Sequence, residues 1–233
     1  MKQKKLLAGA GVILTIALAL GATALAAGAR PSAPSVTVRV EGLHRTLLAP
    51  SVVATHAGSL TRFGAPRGKC PDKSAAGSLD GATHHRWKGT WESSFDDYEV
   101  TSILGEAHPF SSKDYWEIFV NNVAAQTGAC EIKVKPGQQI LLAAVPSKGA
   151  IEVPLMIGTP TSSRVGDPLR VHVRALKGHA LVDVHGAQLS GRGVHATTNN
   201  RGLATVTPSQ RGRLVLHASK AGYVRGFAAV NVS

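Results

Sequence analysis

Residues Asp114 to Cys130, DYWEIFVNNVAAQTGAC, constrain the fold more than any other stretch. At period two, Trp116, Ile118 and Val120 fall on one face and Tyr115, Glu117 and Phe119 on the other, because side chains alternate along a strand. The first set suits a buried face, the second a half-exposed one. Asn121-Asn122 supplies two residues that tolerate positive φ, as a two-residue hairpin turn needs. Two readings stand for the second face. It is either a core strand with partly covered aromatics or a contact platform for a ligand or partner, formed by Tyr115, Glu117 and Phe119 with Trp87 and Trp91 as further candidate contacts.

The stretch ends on Cys130, and the only other cysteine is Cys70. Both follow an N-terminal segment that reads as a secretory signal. Lys2, Lys4 and Lys5 precede an apolar run from Leu6 to Leu20, and Ala24-Leu25-Ala26 is a small-x-small cleavage site with Ala27-Gly28-Ala29 as its competitor. The run is short for a stable span, so cleavage is expected and no later membrane segment is. In an oxidising compartment the two cysteines pair. A zinc or redox reading fails on their spacing. The expected location is secreted or cell-surface associated.

Charge divides the exported part unevenly. From Ala27 to Val153 there are 13 Lys/Arg against 12 Asp/Glu, a net of +1; from Pro154 to Ser233 there are 10 against 2, a net of +8. A basic exported half is suited to an anionic cell-envelope polymer or to a surface protein, and no specific nucleic acid is implied. The competing reading is that dispersed Arg serves solubility.

Taken in order, RPSAPS at Arg30 to Ser35 is a flexible leader. Val36 to Glu41 alternates as a strand, and Thr46 to Ala54 offers a second. A short helix is predicted within Pro71 to Thr83, with Asp72 able to cap it and Gly77 and Gly81 weakening it. Trp87 to Phe95 is a hairpin or a covering loop. Tyr98 to Leu104, the Asp114 stretch and Gln139 to Val145 complete three later strands. Two strands, a helix and three strands make an α+β arrangement. From Leu155 onward short strands recur between turns, which suits an all-β sandwich.

The first half resembles the small β-grasp domain found at the C-terminus of transcobalamin and in many bacterial surface proteins. The resemblance rests on VTVRVEG at Val36 to Gly42, YEVTSILG at Tyr98 to Gly105, YWEIFVNN at Tyr115 to Asn122 and KPGQQI at Lys135 to Ile140. It departs from the family at Asn121-Asn122, where Asn-Gly is usual, and in the added loop from His56 to Cys70. The second half resembles bacterial immunoglobulin-like and carboxypeptidase-regulatory-like modules through VHGAQL at Val184 to Leu189, TTNNRGLATVTP at Thr197 to Pro208 and ASKAGYVRG at Ala218 to Gly226. The implied organisation is a signal peptide over 1–26, a leader over 27–35, a β-grasp domain over 36–148 and a basic immunoglobulin-like sandwich over 149–233.

Chemistry is sparse. His84-His85 and the acidic trio Asp96, Asp97 and Glu99 lack the spacing of a metal site, and no catalytic motif is present. The expectation is a monomeric, non-catalytic binding or surface-display protein without metal or cofactor. Its first half would be the recognition surface, and its second half a spacer or envelope anchor. The alternative implied by the resemblance is a small-ligand carrier related to cobalamin-binding proteins, although their corrinoid-holding helical barrel has no counterpart here.

Overall fold

The structure, a computed structural model, describes residues 34–109 and 111–233. The expected signal peptide and residues 27–33 of the leader lie outside the described residues. The first part of the chain carries β1 (Ser35–Glu41), β2 (Thr46–Ala54), β3 (Ser59–Leu60), β4 (Cys70–Pro71), α1 (Ala75–Ala82), β5 (Trp87–Glu92), β6 (Asp97–Ile103), β7 (Glu106–Ala107), β8 (Asp114–Val120), β9 (Val123–Ala124) and β10 (Gln139–Pro146). The second carries β11 (Val153–Gly158), β12 (Ser162–Ser163), β13 (Leu169–Lys177), β14 (Ala180–Asp183), β15 (Gln188–Gly191), β16 (Val194–Thr197), β17 (Leu203–Val206), β18 (Gly212–Ser219), β19 (Tyr223–Val224) and β20 (Gly226–Val232).

The alternation read in the sequence is realised. Val36, Val38 and Val40 of β1 and Trp116 and Ile118 of β8 enter one core. β1 runs parallel to β10 at the centre of a sheet ordered β2-β1-β10-β8-β9. The turn after β8 places Asn121 and Asn122 at φ of 51° and 68°, the left-handed pair that a tight hairpin needs. Helix α1 starts at Ser74, not Asp72: the Ser74 hydroxyl accepts the Gly77 N–H at 3.2 Å. Gly77 is explained by crowding, since a Cβ there would stand 2.2 Å from the Asp72 carbonyl oxygen. Cys70 and Cys130 form a disulfide across a separation of 60 residues.

The expected fold class is overturned. The described residues are nearly all β, and the one helix among them has eight residues. It does not form an α+β β-grasp domain followed by an immunoglobulin-like sandwich. A two-turn helix with two glycines covers only a strip of sheet. The Trp87–Ala107 segment pairs locally through its own hairpins as a β5-β6-β7 sheet, and β3-β4 forms another, so the first part divides its strands among three sheets. Behind them, β14-β13-β11-β19 with β17 on β13, and β12-β20-β18-β15-β16, are two further sheets. Both contribute to one core, from Leu155, Val171 and Val173 on one side to Leu189, Leu216 and Val230 on the other.

The described residues form one compact unit. A third apolar cluster joins its parts: Phe119, Leu141, Ala143 and Val145, on the second face of the first sheet, pack with Val224. That sheet is therefore buried on both faces along β10. Beside the cluster lies a buried charge network. The Arg225 Nη1 donates to Glu41 Oε2 at 3.0 Å and its Nη2 to the Leu43 carbonyl at 3.5 Å. Arg39 donates to the Arg225 carbonyl at 3.3 Å and stands 3.4 Å from Glu41. Thr46 donates to Glu41 at 2.9 Å. Burial pushes the Glu41 carboxyl above its usual range and the Arg39 guanidinium below its own, in each case outweighing the attraction of the opposite charge.

His217 stands 3.5 Å from the Thr46 hydroxyl and edge-on to Phe227. Burial, then the charges of Arg225 and Arg39, lowers its pKa. The unfolded imidazole, at about 6.5, therefore binds protons that the folded one refuses. The contribution of His217 to stability is intact above that value and falls as pH drops through it toward the lowered folded pKa. Urea midpoints of the wild type are expected to decline on this limb, and His217→Gln to flatten it. An identical slope in the variant would remove His217 as the source. Among the described residues, no helix is long and apolar enough to cross a membrane.

Candidate functional site

The residues singled out in the sequence fall in three places. Phe119 is fully buried in the junction cluster. Trp87 is buried, with its indole N–H donating to Asp80 Oδ1 at 2.7 Å and its ring edge-on to Phe63 and Tyr98. Trp91 meets Tyr98 edge-on at 5.1 Å and is half-buried. Tyr115 and Glu117 stand together, the Tyr115 hydroxyl donating to Glu117 Oε2 at 2.7 Å. Burial, then Glu117, pushes the Tyr115 phenol up to about 12. The Glu117 Oε1 accepts the Ile118 N–H at 3.0 Å. His85 and Asp80 form a pair at 2.6 Å, with Arg62 on the other Asp80 oxygen, so this histidine serves the wall around Trp87.

Tyr115 and Glu117 line the smaller of two clefts that meet at Tyr98, Glu99 and Gln126–Gly128. One, of about 340 Å³, is bordered by Tyr98–Val100 of β6, Tyr115–Ile118 of β8, His108 and the Ala125–Ala129 loop. The other, of about 640 Å³, continues past Tyr98, Glu99 and the same loop to Glu92, Phe95 and Glu131. Together they make a groove whose lining carries five carboxylates, Glu92, Asp97, Glu99, Glu117 and Glu131, and no lysine or arginine. The groove lies in the half of net charge +1, so its acidic lining is a local concentration of negative charge, opposite in sign to the +8 half. Phe95 adds an aromatic ring that is 75% exposed. Volumes of this order hold a small molecule or a few side chains of a peptide.

The groove wall is built, not incidental. Asp97 accepts backbone N–H groups from Tyr98 at 2.6 Å, Cys130 at 3.0 Å and Glu131 at 3.4 Å. Burial raises its pKa against those hydrogen bonds. The loop also passes so close that a Cβ on Gly128 would lie 2.4 Å from the Asp97 carboxylate. At the start of α1, the N–H groups of Ala75 and Ala76 donate to the Ile132 and Ala129 carbonyls, both at 3.0 Å. These are donors that a helix start leaves without intrahelical partners. The acidic trio read in the sequence thus separates: Asp96 pairs with Lys69 at 2.7 Å, Asp97 fastens the loop, and Glu99 lines the groove. Among the described residues no three His, Cys, Asp or Glu side chains are placed to hold one metal ion.

A second surface has the opposite sign. Arg192 donates to the Arg211 carbonyl at 3.0 Å, and Arg213 opposes Asn231 across β18 and β20. Val165 bonds the Ser233 carbonyl at 3.0 Å, which brings Arg164 to the same end of the second core. All four arginines are exposed, and none enters an ion pair among the described residues.

A family model described as a domain of unknown function, DUF4430, matches residues 80–144. That family is grouped with transcobalamin-like ones. Every residue lining the groove falls inside the matched segment. No curated protein matches the chain.

Proposed function

We propose that the chain is an exported, non-catalytic binding protein that takes a cationic partner in the acidic groove, with the arginine-rich end of its second half resting on an anionic cell-envelope polymer. The observation that carries this reading is the groove lining: five carboxylates, an exposed Phe95 and no lysine or arginine, in a chain whose second half is strongly basic. A cation with an apolar stem gains both electrostatic attraction and ring contact there.

Labelled oligolysine tests the groove, since its lining is the densest set of carboxylates without a lysine or arginine beside them among the described clefts. Binding by fluorescence anisotropy is expected, weakening with salt as screening sets in. Glu92→Lys with Glu131→Lys is expected to reduce it by about tenfold or more, the equivalent of about 1.4 kcal/mol. No binding by the wild type, or equal binding by the double variant, would sink the reading. Retention on isolated envelope at rising salt, compared with Arg192→Glu, Arg211→Glu and Arg213→Glu together, tests the anchoring part.

A second reading, a small-ligand carrier with a corrinoid among its candidates, draws on the volume of about 640 Å³ and on the transcobalamin-like grouping of the matched family. Equilibrium dialysis against cobalamin decides it.

A further inference from the structure

We infer that the open edge of β8 receives an extended basic peptide as an added strand, a refinement that rests on the acidic-groove reading above. β10 pairs with β8 along Asp114–Val120, but β9 covers the other side only at Phe119 and Val120. Beside Tyr115–Ile118, where a neighbouring strand would lie, stands the cleft of about 340 Å³. The Asn121 N–H bonds the Gln139 carbonyl and the Ser147 N–H bonds the Lys113 carbonyl, which directs the odd-numbered residues of β8 toward β10. By alternation the N–H and C=O groups of the even-numbered residues point to the open side.

Those groups are satisfied unevenly. Ser112 folds its hydroxyl onto the Asp114 backbone, and Ile118 gives its carbonyl to the Ala125 N–H and its N–H to Glu117. Trp116, between them, has neither a strand nor a side chain on that side among the described residues. Its indole N–H is also buried without an acceptor there, in a side chain that is 7% exposed and lines the cleft. An edge that offers an unpaired donor and acceptor is a template for another strand, and main-chain bonds plus alternate side-chain contacts are how such edges bind peptides. Charge chooses the occupant. Alternate side chains of an added strand would face Glu99 and Glu117, and further along Glu131, so lysine or arginine at every second position fits.

The test uses the full exported chain and a labelled peptide of alternating lysine and threonine. Its companions are the same peptide N-methylated on the residues that would bond Trp116, and a glutamine-for-lysine version. The parent is expected to bind and to slow amide exchange at Trp116; N-methylation, which keeps the charge, is expected to weaken it by about tenfold or more. Equal affinity of the N-methylated peptide, with loss only in the glutamine version, would overturn strand addition and leave the acidic groove standing. Failure of the parent peptide and of oligolysine would overturn both. Concentration-dependent protection of Trp116 without peptide would assign the edge to a second copy of the chain and overturn the inference.

Discussion

Arg225→Ala is expected to destabilise the protein by about 3–5 kcal/mol, the usual cost of stripping one partner from a buried ion pair. Glu41 is 1% exposed and lies between the two parts of the structure. In the variant it keeps Thr46 and the more distant Arg39 but loses its 3.0 Å donor, and the Leu43 carbonyl loses one as well. The network is not a simple gain, because burial outweighs charge attraction at both Glu41 and Arg39. The cost should therefore come from the orphaned carboxylate. Glu41→Leu is expected to absorb most of it, so that Arg225→Ala costs far less in that background. Urea denaturation of the four chains in the cycle measures the coupling. Equal cost of Arg225→Ala in both backgrounds would show that the carboxylate is not the reason. Since Arg225 follows directly on Val224 of the junction cluster, the double variant also separates charge from packing.

The same junction shows where sequence reading stopped. Alternation in DYWEIFV correctly divided Trp116 and Ile118 from Tyr115 and Phe119, and Asn121-Asn122 correctly marked the turn. The fate of the second face was not local information. Phe119 is covered by Val224, far along the chain. A signal was present in Ile140–Val145, an unbroken apolar run of the kind a strand needs when both its faces are covered. The α+β expectation failed for a related reason. Four short motifs in order specify succession, but not which strands pair, and Trp87–Ala107 closed on itself as a separate sheet. The groove was less legible still. Glu92, Phe95, Glu99 and Glu131 look like ordinary surface residues until β6 and the Gln126–Glu131 loop are brought together. That approach depends on Asp97, whose carboxylate is consumed by backbone N–H groups and so could not be told from its acidic neighbours.

Replacing both Cys70 and Cys130 with serine is expected to cost about 4 kcal/mol, from the chain entropy that a loop of this length regains when unfolded. Both side chains are buried, so local packing adds to the loss. The effect on the groove should be much smaller than the effect on stability. Cys130 sits in the loop that forms the groove wall, yet that loop is also held by Asp97 and by the first N–H groups of α1. These attachments act in the folded state, whereas the disulfide acts chiefly by restricting the unfolded one. Under conditions where the variant remains folded, oligolysine affinity should therefore stay within about tenfold of the wild type while the urea midpoint drops sharply. Loss of binding with an unchanged midpoint would reverse these roles, making the disulfide the device that shapes the wall. The discriminating companion is Asp97→Asn, which keeps the disulfide but replaces one oxygen that accepts the Cys130 and Glu131 N–H groups with a donor. It is expected to do what the cysteine variant does not: loosen Gly128–Glu131 and weaken oligolysine binding in a chain that is still cross-linked.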